Sequence, residues 1–509
     1  MSLEWIDAVA FGAFISIVVI VSILAGRRQK SDRDYFLAGR SLPWWMIGFS
    51  LIASNISTEH FVGMAGRGYD LGLAIASYEW MAAVTLVVVA LFFLPKFLSA
   101  GIYTIPEFLE YRYGPAARTL MSLYMMLAYV FVALATVLYS GALALNAIFD
   151  IDTTVAIWAI GVLAGIYTIY GGLRAVVWSD LIQGIALLAG GILVTVLAFQ
   201  RVGGVTEFMA LAGDRLHTVL PADHPEMPWV AVFIGGLWIP NLFYWGLNQF
   251  ITQRTLAARS LRDGQRGILL AAAIKLGIPF IIVFPGIMAA GLFPDQIATS
   301  DQAYPVLIRE LLPAGLAGIM FAALFGAVMS TLDSLLNSAA TIFTMDLYGR
   351  YFRRNVSAGQ QIRVGRIATG VLVISGCLWA PVVASAGSIF TYIQMFWGFI
   401  SPGIVAVFVL GLLWRKVPAA AAVGAMALGV PVYGALLWAL PDVAFLHHMA
   451  ITFGVLLLFM VTVTLARPRL DTPVMPEPDG EFDLTPSAGV RWAGAAIVLA
   501  TATLYVIFW

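Results

Sequence analysis

The chain has 509 residues, 61% of them hydrophobic and 11% charged, with 28 basic against 28 acidic side chains and a mean hydropathy of +0.91. Soluble globular chains of this length do not have that composition, and the balanced charge offers no footprint for nucleic acid, so the composition implies a polytopic membrane protein whose first partner is the lipid bilayer. The single cysteine, Cys377, excludes an intramolecular disulfide framework and a multi-cysteine metal site.

Apolar segments of spanning length, about 20 residues each, fall near 5–25, 44–66, 73–95, 119–148, 154–170, 175–200, 228–251, 267–293, 315–345, 367–386, 388–413, 418–440, 444–466 and 490–509. The fold class is therefore all-α, with about 14 transmembrane helices in one transmembrane domain over 1–509. Glu4 and Asp7 stand where a signal peptide is positively charged, and Arg27, Arg28 and Lys30 follow the first apolar run. That run is expected to be a retained span with its N-terminus outside. Alternating crossings then put 23 of the 28 basic residues in cytoplasmic loops, including the groups Arg254–Arg266 and Arg350–Arg366. Only Arg67, Arg201, Arg215 and Arg309 stay outside, with Lys275 inside a span, so both termini are expected outside the plasma (inner) membrane. The stretch from about 467 to 490, rich in Pro, Asp and Glu, is expected to be a cytoplasmic linker.

The second apolar segment is unusual. Ser54, Asn55, Ser57, Thr58, Glu59 and His60 follow one another within it. Facing lipid, centrally placed charges cost roughly 2.5–3.5 kcal/mol each. Such a cluster implies a helix that breaks and faces a protein-lined cavity. Five spans later, in GLWIPNLFYWGLNQF, Pro240 lacks a backbone donor and Asn241 follows it, which predicts a second break. Two interruptions five helices apart imply a five-plus-five inverted repeat over about 44–200 and 228–413. Repeats of this kind bind substrate and coupling ion at the bilayer midplane, between the broken helices.

Other polar residues within spans are few. Glu79, in ASYEW, accepts hydrogen bonds from substrate hydroxyls or pairs with a base. Lys275 either snorkels to an interface or meets a partner such as Glu79 or a substrate oxygen. Gln394 is a substrate contact or interhelical glue. In the ninth span Ala327, Ser330, Thr331, Asp333, Ser334 and Asn337 cluster, and Ser330 and Ser334 share a face. These hydroxyls bond back to their own helix, or join freed carbonyls at the first break to bind a hard monovalent cation. Asp180 is a further intramembrane acid that binds a cation, titrates, or pairs with a base.

The stretches SNISTEHFVGMAGRGY, SYEW, GIYTIPEFLEYRYG, IYGGLRAVVWSDLIQ, GLWIPNLFYW, QRTLAA, NSAATIFTMDLY and SPGIVAVFVLGLLWRK together resemble the sodium/solute symporter family, above all its sodium/sugar branch. The resemblance runs from the second span past the eleventh. It implies a sodium site on the carbonyls of Ala53, Ile56 and Ala327 and the hydroxyls of Ser330 and Thr331. It implies a sugar site on Asn55, His60, Glu79, Asn241, Lys275 and Gln394. Tyr244 resembles the family's inner aromatic gate, and Met64, Tyr78 and Phe390 its outer apolar cover. Members that couple two sodium ions place oxygen ligands near Asp180, Asp333 and Ser334, a possible second sodium site. His60 stands where bacterial galactose-type members carry glutamine, and Ala82 where they carry serine.

The resemblance implies a sodium-coupled symporter that imports a neutral hexose by alternating access, with sodium and a small sugar as its ligands. Alternatives are a symporter of myo-inositol, another polyol or a sugar acid, or a membrane sugar sensor. An enzyme is not expected, because no HExxH motif, nucleophile–base constellation or cofactor fingerprint is found. Oligomeric state leaves no signal in the sequence.

Overall fold

A computed structural model describes residues 5–26, 32–149, 151–352, 357–383, 389–471, 476 and 482–509. Among them the chain is built from helices, with isolated bridges such as Leu42–Ala258 and no strand. A bilayer leaves no water for backbone groups, so an apolar chain of this kind satisfies them within helices. The helices are α1 (Trp5–Gly26), α2 (Trp44–Asn55), α3 (59–71), α4 (77–99), α5 (115–149), α6 (153–171), α7 (Gly172–Val202) and α8 (Trp229–Leu247). They continue as α9 (Gln249–Leu256), α10 (Leu261–Leu292), α11 (Leu316–Phe352), α12 (Ala358–Val383), α13 (Ile389–Leu413), α14 (Ala419–Ala439), α15 (Phe445–Ala466) and α16 (Val490–Ile507).

Twelve helical runs among the described residues are long and apolar enough to cross a bilayer. Two glycines divide longer runs further. Gly72 (φ 76°, ψ −151°) separates α3 from α4, and Gly172 (φ 54°, ψ −168°) separates α6 from α7. With α2 and α3 as one interrupted span and α6 as a short one, the fourteen segments of the hydropathy pattern are accounted for. Gly72 sits in a backbone region that is essentially glycine-only, and a Cβ there would lie 2.3 Å from the Arg215 carbonyl oxygen. Gly72→Ala is expected to cost on the order of 1–3 kcal/mol. A lowered thermal unfolding midpoint in detergent checks this, and an unchanged midpoint would refute it.

The second broken helix differs from expectation in where it breaks. Pro240 lies inside the helical turn Trp238–Leu242, where early N–H groups have no intrahelical acceptor and a missing donor costs nothing. The chain departs from helix before it, at 234–237, and after it, at Asn248 (φ −87°, ψ 120°). Asn248 is the counterpart of Ile56 (φ −79°, ψ 105°), which ends α2. The two extended residues mark the paired breaks. Around them α10 packs along α2, α3 and α4, while α1 packs on the 153–202 run and on α11.

One face of the bundle collects both chain ends. Asp7 Oδ1 accepts from the backbone N–H groups of Gly315 (2.7 Å) and Gly318 (2.9 Å). The Phe508 carbonyl accepts from Thr218 N (2.8 Å) and Oγ1 (2.7 Å). At the opposite face Arg112 caps the carbonyls of Gly411, in the last turn of α13, and of Trp414, Arg415 and Val417 beyond it. There Glu110 joins Arg118 (2.6 Å) and Arg350, and Arg118 also reaches Asp346 (2.5 Å). Burial pushes the Glu110 carboxyl up, but hydrogen bonds from Arg350 and Arg118 prevail and hold it below its ordinary value. The described parts of the 467–490 stretch lie on this face too, with Arg469 N on the Lys416 carbonyl (2.8 Å) and Leu261 N on that of Asp483 (2.9 Å). Arg27, Arg28, Lys30, Arg353, Arg354 and residues 472–475 and 477–481 lie outside the described residues.

Candidate ion and substrate site

The break at Ile56 frees carbonyl oxygens on the last turn of α2, because the residues that would donate to them no longer follow the helix. α11 meets that turn with two hydroxyls. Ser330 Oγ lies 3.3 Å from the Ala53 carbonyl oxygen, and Thr331 Oγ1 lies 3.3 Å from that of Ser54 and 3.0 Å from that of Ala327. Ala53, Ala327, Ser330 and Thr331 are thus brought together, with the Ser54 carbonyl as an addition the sequence did not single out. Ile56 stands at the break itself, 1% exposed. Neutral oxygens from two helices form a donor set suited to a hard cation.

Asp180 adjoins this set. Its Oδ1 accepts from Ser330 Oγ (2.5 Å), and its Oδ2 from Ser50 Oγ (2.5 Å) and Ser54 Oγ (3.1 Å). Its third partner on Oδ2 is Arg254 Nη2 at 3.0 Å, with both side chains 0% exposed. Arg254 also donates to Ser50 Oγ (2.6 Å) and to Ser334 Oγ. This corrects the loop assignment of Arg254, which sits on α9 in the interior. The run NQFITQRT carries no charge before Arg254 and no Pro or Gly, and that was the missed signal of a helix continuing inward. In this structure Asp180 is paired with a base, Arg254. Ser334 shares the network at 3.2 Å from Ser54 Oγ. Asp333 Oδ1 accepts from Thr168 on α6 (2.7 Å).

On the other side of the break lies a cavity of about 110 Å³. Five of the six expected substrate contacts line it: Asn55, His60, Glu79, Asn241 and Gln394. So do Met64, Tyr78 and Tyr244 of the expected gates, whereas the side chain of Phe390 lies outside the described residues. Thr331 also lines it, so one α11 side chain touches both the oxygen set and the cavity. Glu59, Trp245 and Trp397 are also part of the wall, without having been singled out for it.

Lys275 is placed behind the wall. It is 0% exposed and donates to Asn55 Oδ1 and Glu79 Oε2, with its ammonium 4.9 Å from the Trp245 ring centre. Asn55 Nδ2 in turn donates to Tyr244 OH (3.0 Å), and His60 Nε2 approaches Glu79 Oε1 at 3.4 Å. One chain of polar contacts therefore runs from His60 through Glu79, Lys275 and Asn55 to Tyr244. Below, Tyr244 packs edge-on against Phe250 at 5.4 Å. Tyr129 of α5 accepts from Phe250 N (3.1 Å) and donates to Asn248 Oδ1, which secures the second break. A wall of amides, acids and aromatic rings can present hydrogen bonds to hydroxyls and apolar surface to C–H faces.

The sodium:solute symporter family model matches residues 35–429. A sodium/glucose cotransporter of Vibrio parahaemolyticus is 41% identical over 100% of this chain and 99% of its own. A sodium/myo-inositol cotransporter 2 of Mus musculus is 34% identical over 84% of this chain and 69% of its own. Among solved structures, a substrate-bound, outward-open sodium-coupled sialic acid symporter superposes with a TM-score of 0.82 over 93% of this chain and 100% of its own. At 24% identity that likeness shows the shared helical fold. Family and relatives are sodium-coupled transporters and not enzymes. The chain belongs to the sodium:solute symporter family and is a multi-pass membrane protein that couples solute movement to sodium.

Proposed function

We propose that the protein couples inward sodium movement to uptake of a neutral hexose of the glucose or galactose type by alternating access. One observation carries the reading. The same helix break presents the Ala53 and Ser54 carbonyls to Ser330 and Thr331 on one side, and Asn55 and His60 to the cavity on the other. An ion on the oxygen set bridges α2 to α11 and orders the cavity wall two residues away. Coupling requires sodium to prefer the substrate-competent arrangement, since indifferent binding shifts nothing. Tyr244 and Phe250 close the inner side, and Met64 and Tyr78 belong to the outer cover. Both termini are assigned to the outside, because they share a face with the 203–228 connection and the more basic connections lie opposite.

Labelled glucose or galactose is expected to accumulate in proteoliposomes under an inward sodium gradient, and not under potassium. Ser330→Ala, which deletes one oxygen of the set, is expected to reduce uptake at least tenfold and to raise the sodium concentration needed for half-maximal rate. Undiminished uptake in that variant would remove the ion from this position. Myo-inositol is the second reading, favoured by the myo-inositol cotransporters among the relatives. Its preferential uptake in the same assay would replace the hexose.

A further inference from the structure

Among the described residues, the acids and bases at the cavity are Glu59, His60, Glu79 and Lys275. Their charges do not balance. Lys275 is spent on Glu79 and Asn55, buried behind the wall, so that pair is neutral and offers no cation to a ligand. His60 is held by Glu79 through Nε2, and its Nδ1 makes no hydrogen bond among the described residues. Glu59 is different. It lines the cavity half-buried, four residues past Asn55 across the break, and none of the ion pairs among the described residues includes it. Its side chain makes no hydrogen bond among the described residues; its backbone N–H donates to Ser57 Oγ (3.1 Å).

We propose that Glu59 is the residue that sets the charge class of the cargo: the cavity accepts uncharged polyhydroxyl compounds and amino sugars and rejects sugar acids. The assignment rests on the cavity being the substrate site. A carboxylate facing the cavity accepts charge-assisted hydrogen bonds from hydroxyls and more strongly from an ammonium. A ligand carboxylate meets the opposite. It is brought within a few ångströms of a like charge in a partly desolvated space, and among the described residues both bases at the cavity, Lys275 and His60, are already engaged with Glu79, which disfavours binding by more than about tenfold. Lys275, buried behind the wall, cannot serve both its carboxylate partner and an acidic ligand.

The test uses the full-length protein in proteoliposomes with a sodium gradient and matched ligands: galactose, galactosamine and galacturonate, with the glucose series in parallel. Direct binding is read from the fluorescence of the cavity residues Trp245 and Trp397. The wild-type protein is expected to take up or bind the neutral and amino compounds and to discriminate against the uronates at least tenfold. In Glu59→Gln the uronate-to-neutral ratio should rise at least tenfold, and in Glu59→Asp, which keeps the charge, it should stay near the wild-type value. Wild-type transport of a uronate as fast as its neutral analogue would overturn the assignment, as would an unchanged ratio in Glu59→Gln. Loss of all binding in Glu59→Gln with normal binding in Glu59→Asp would also overturn it, by making Glu59 an indispensable ligand instead of a charge filter. Absence of transport of every hexose, with the charge preference preserved among other polyols, would refute the hexose reading and leave this one standing.

Discussion

Lys275→Met is expected to abolish sodium-driven uptake and to destabilise the protein by about 3–5 kcal/mol, the cost of leaving a buried charge without its partner. The reason is the position of Lys275. Its ammonium pairs with Glu79, whose side chain is 4% exposed, and it also fixes Asn55 by donating to Oδ1. Without it, Glu79 keeps a negative charge with His60 beside it, and Asn55 is free to rotate away from Tyr244. Lys275→Met combined with Glu79→Gln removes both charges and is expected to recover most of the unfolding midpoint, because a neutral buried pair carries no such penalty. It is not expected to recover uptake. The amide at 79 holds neither His60 nor a substrate hydroxyl as the carboxylate does, and Asn55 still lacks its donor. Unfolding midpoints in detergent and initial uptake rates in proteoliposomes separate the two effects. A single variant that transports at the wild-type rate would show that the chain from Glu79 to Tyr244 is dispensable.

The sequence made the site legible in outline because membrane interiors punish polar residues, so the few that persist stand out. Asn55, His60, Glu79, Asn241 and Gln394 were visible one by one, and the structure gathers them around one cavity. Their arrangement in depth was not visible. Lys275 and Glu79 are 196 positions apart, and no spacing rule says that one stands behind the other. Pro240 drew attention to the right helix and the wrong residue, because a proline in a first turn breaks nothing and the extended residue is Asn248. Glu59 was noticed within its cluster, but side-chain direction is undefined at a break, where neither helical nor strand periodicity applies. Arg254 was lost to a counting rule: loop charge statistics treat every arginine after an apolar run as exposed. Its partner Asp180 lies 74 positions earlier. Hydropathy, by contrast, recovered the number of spans, since bilayer thickness fixes their length.

Arg254→Met should be the most destabilising single change in the ion-side network, costing about 3–5 kcal/mol. Asp180 would keep its charge with only the hydroxyls of Ser50, Ser54 and Ser330 around it. Those donors soften the cost but do not cancel a full charge in a space that is 0% exposed. Asp180→Asn with Arg254→Met should restore stability to within about 1–2 kcal/mol of the wild type, since both desolvation penalties disappear together. Function should part from stability here too. Asp180 Oδ1 orients the Ser330 hydroxyl, so that one lone pair faces the Ala53 side while its proton is engaged at 2.5 Å. An amide at 180 can turn its NH2 group toward Ser330, and the hydroxyl then accepts where it formerly donated. The double variant is therefore expected to fold while needing at least tenfold more sodium for half-maximal uptake. Sodium titrations of uptake rate, read beside unfolding midpoints, give both quantities from one preparation. Unchanged sodium dependence would mean that the buried ion pair braces α7 against α9 and does nothing for the oxygen set at Ser330.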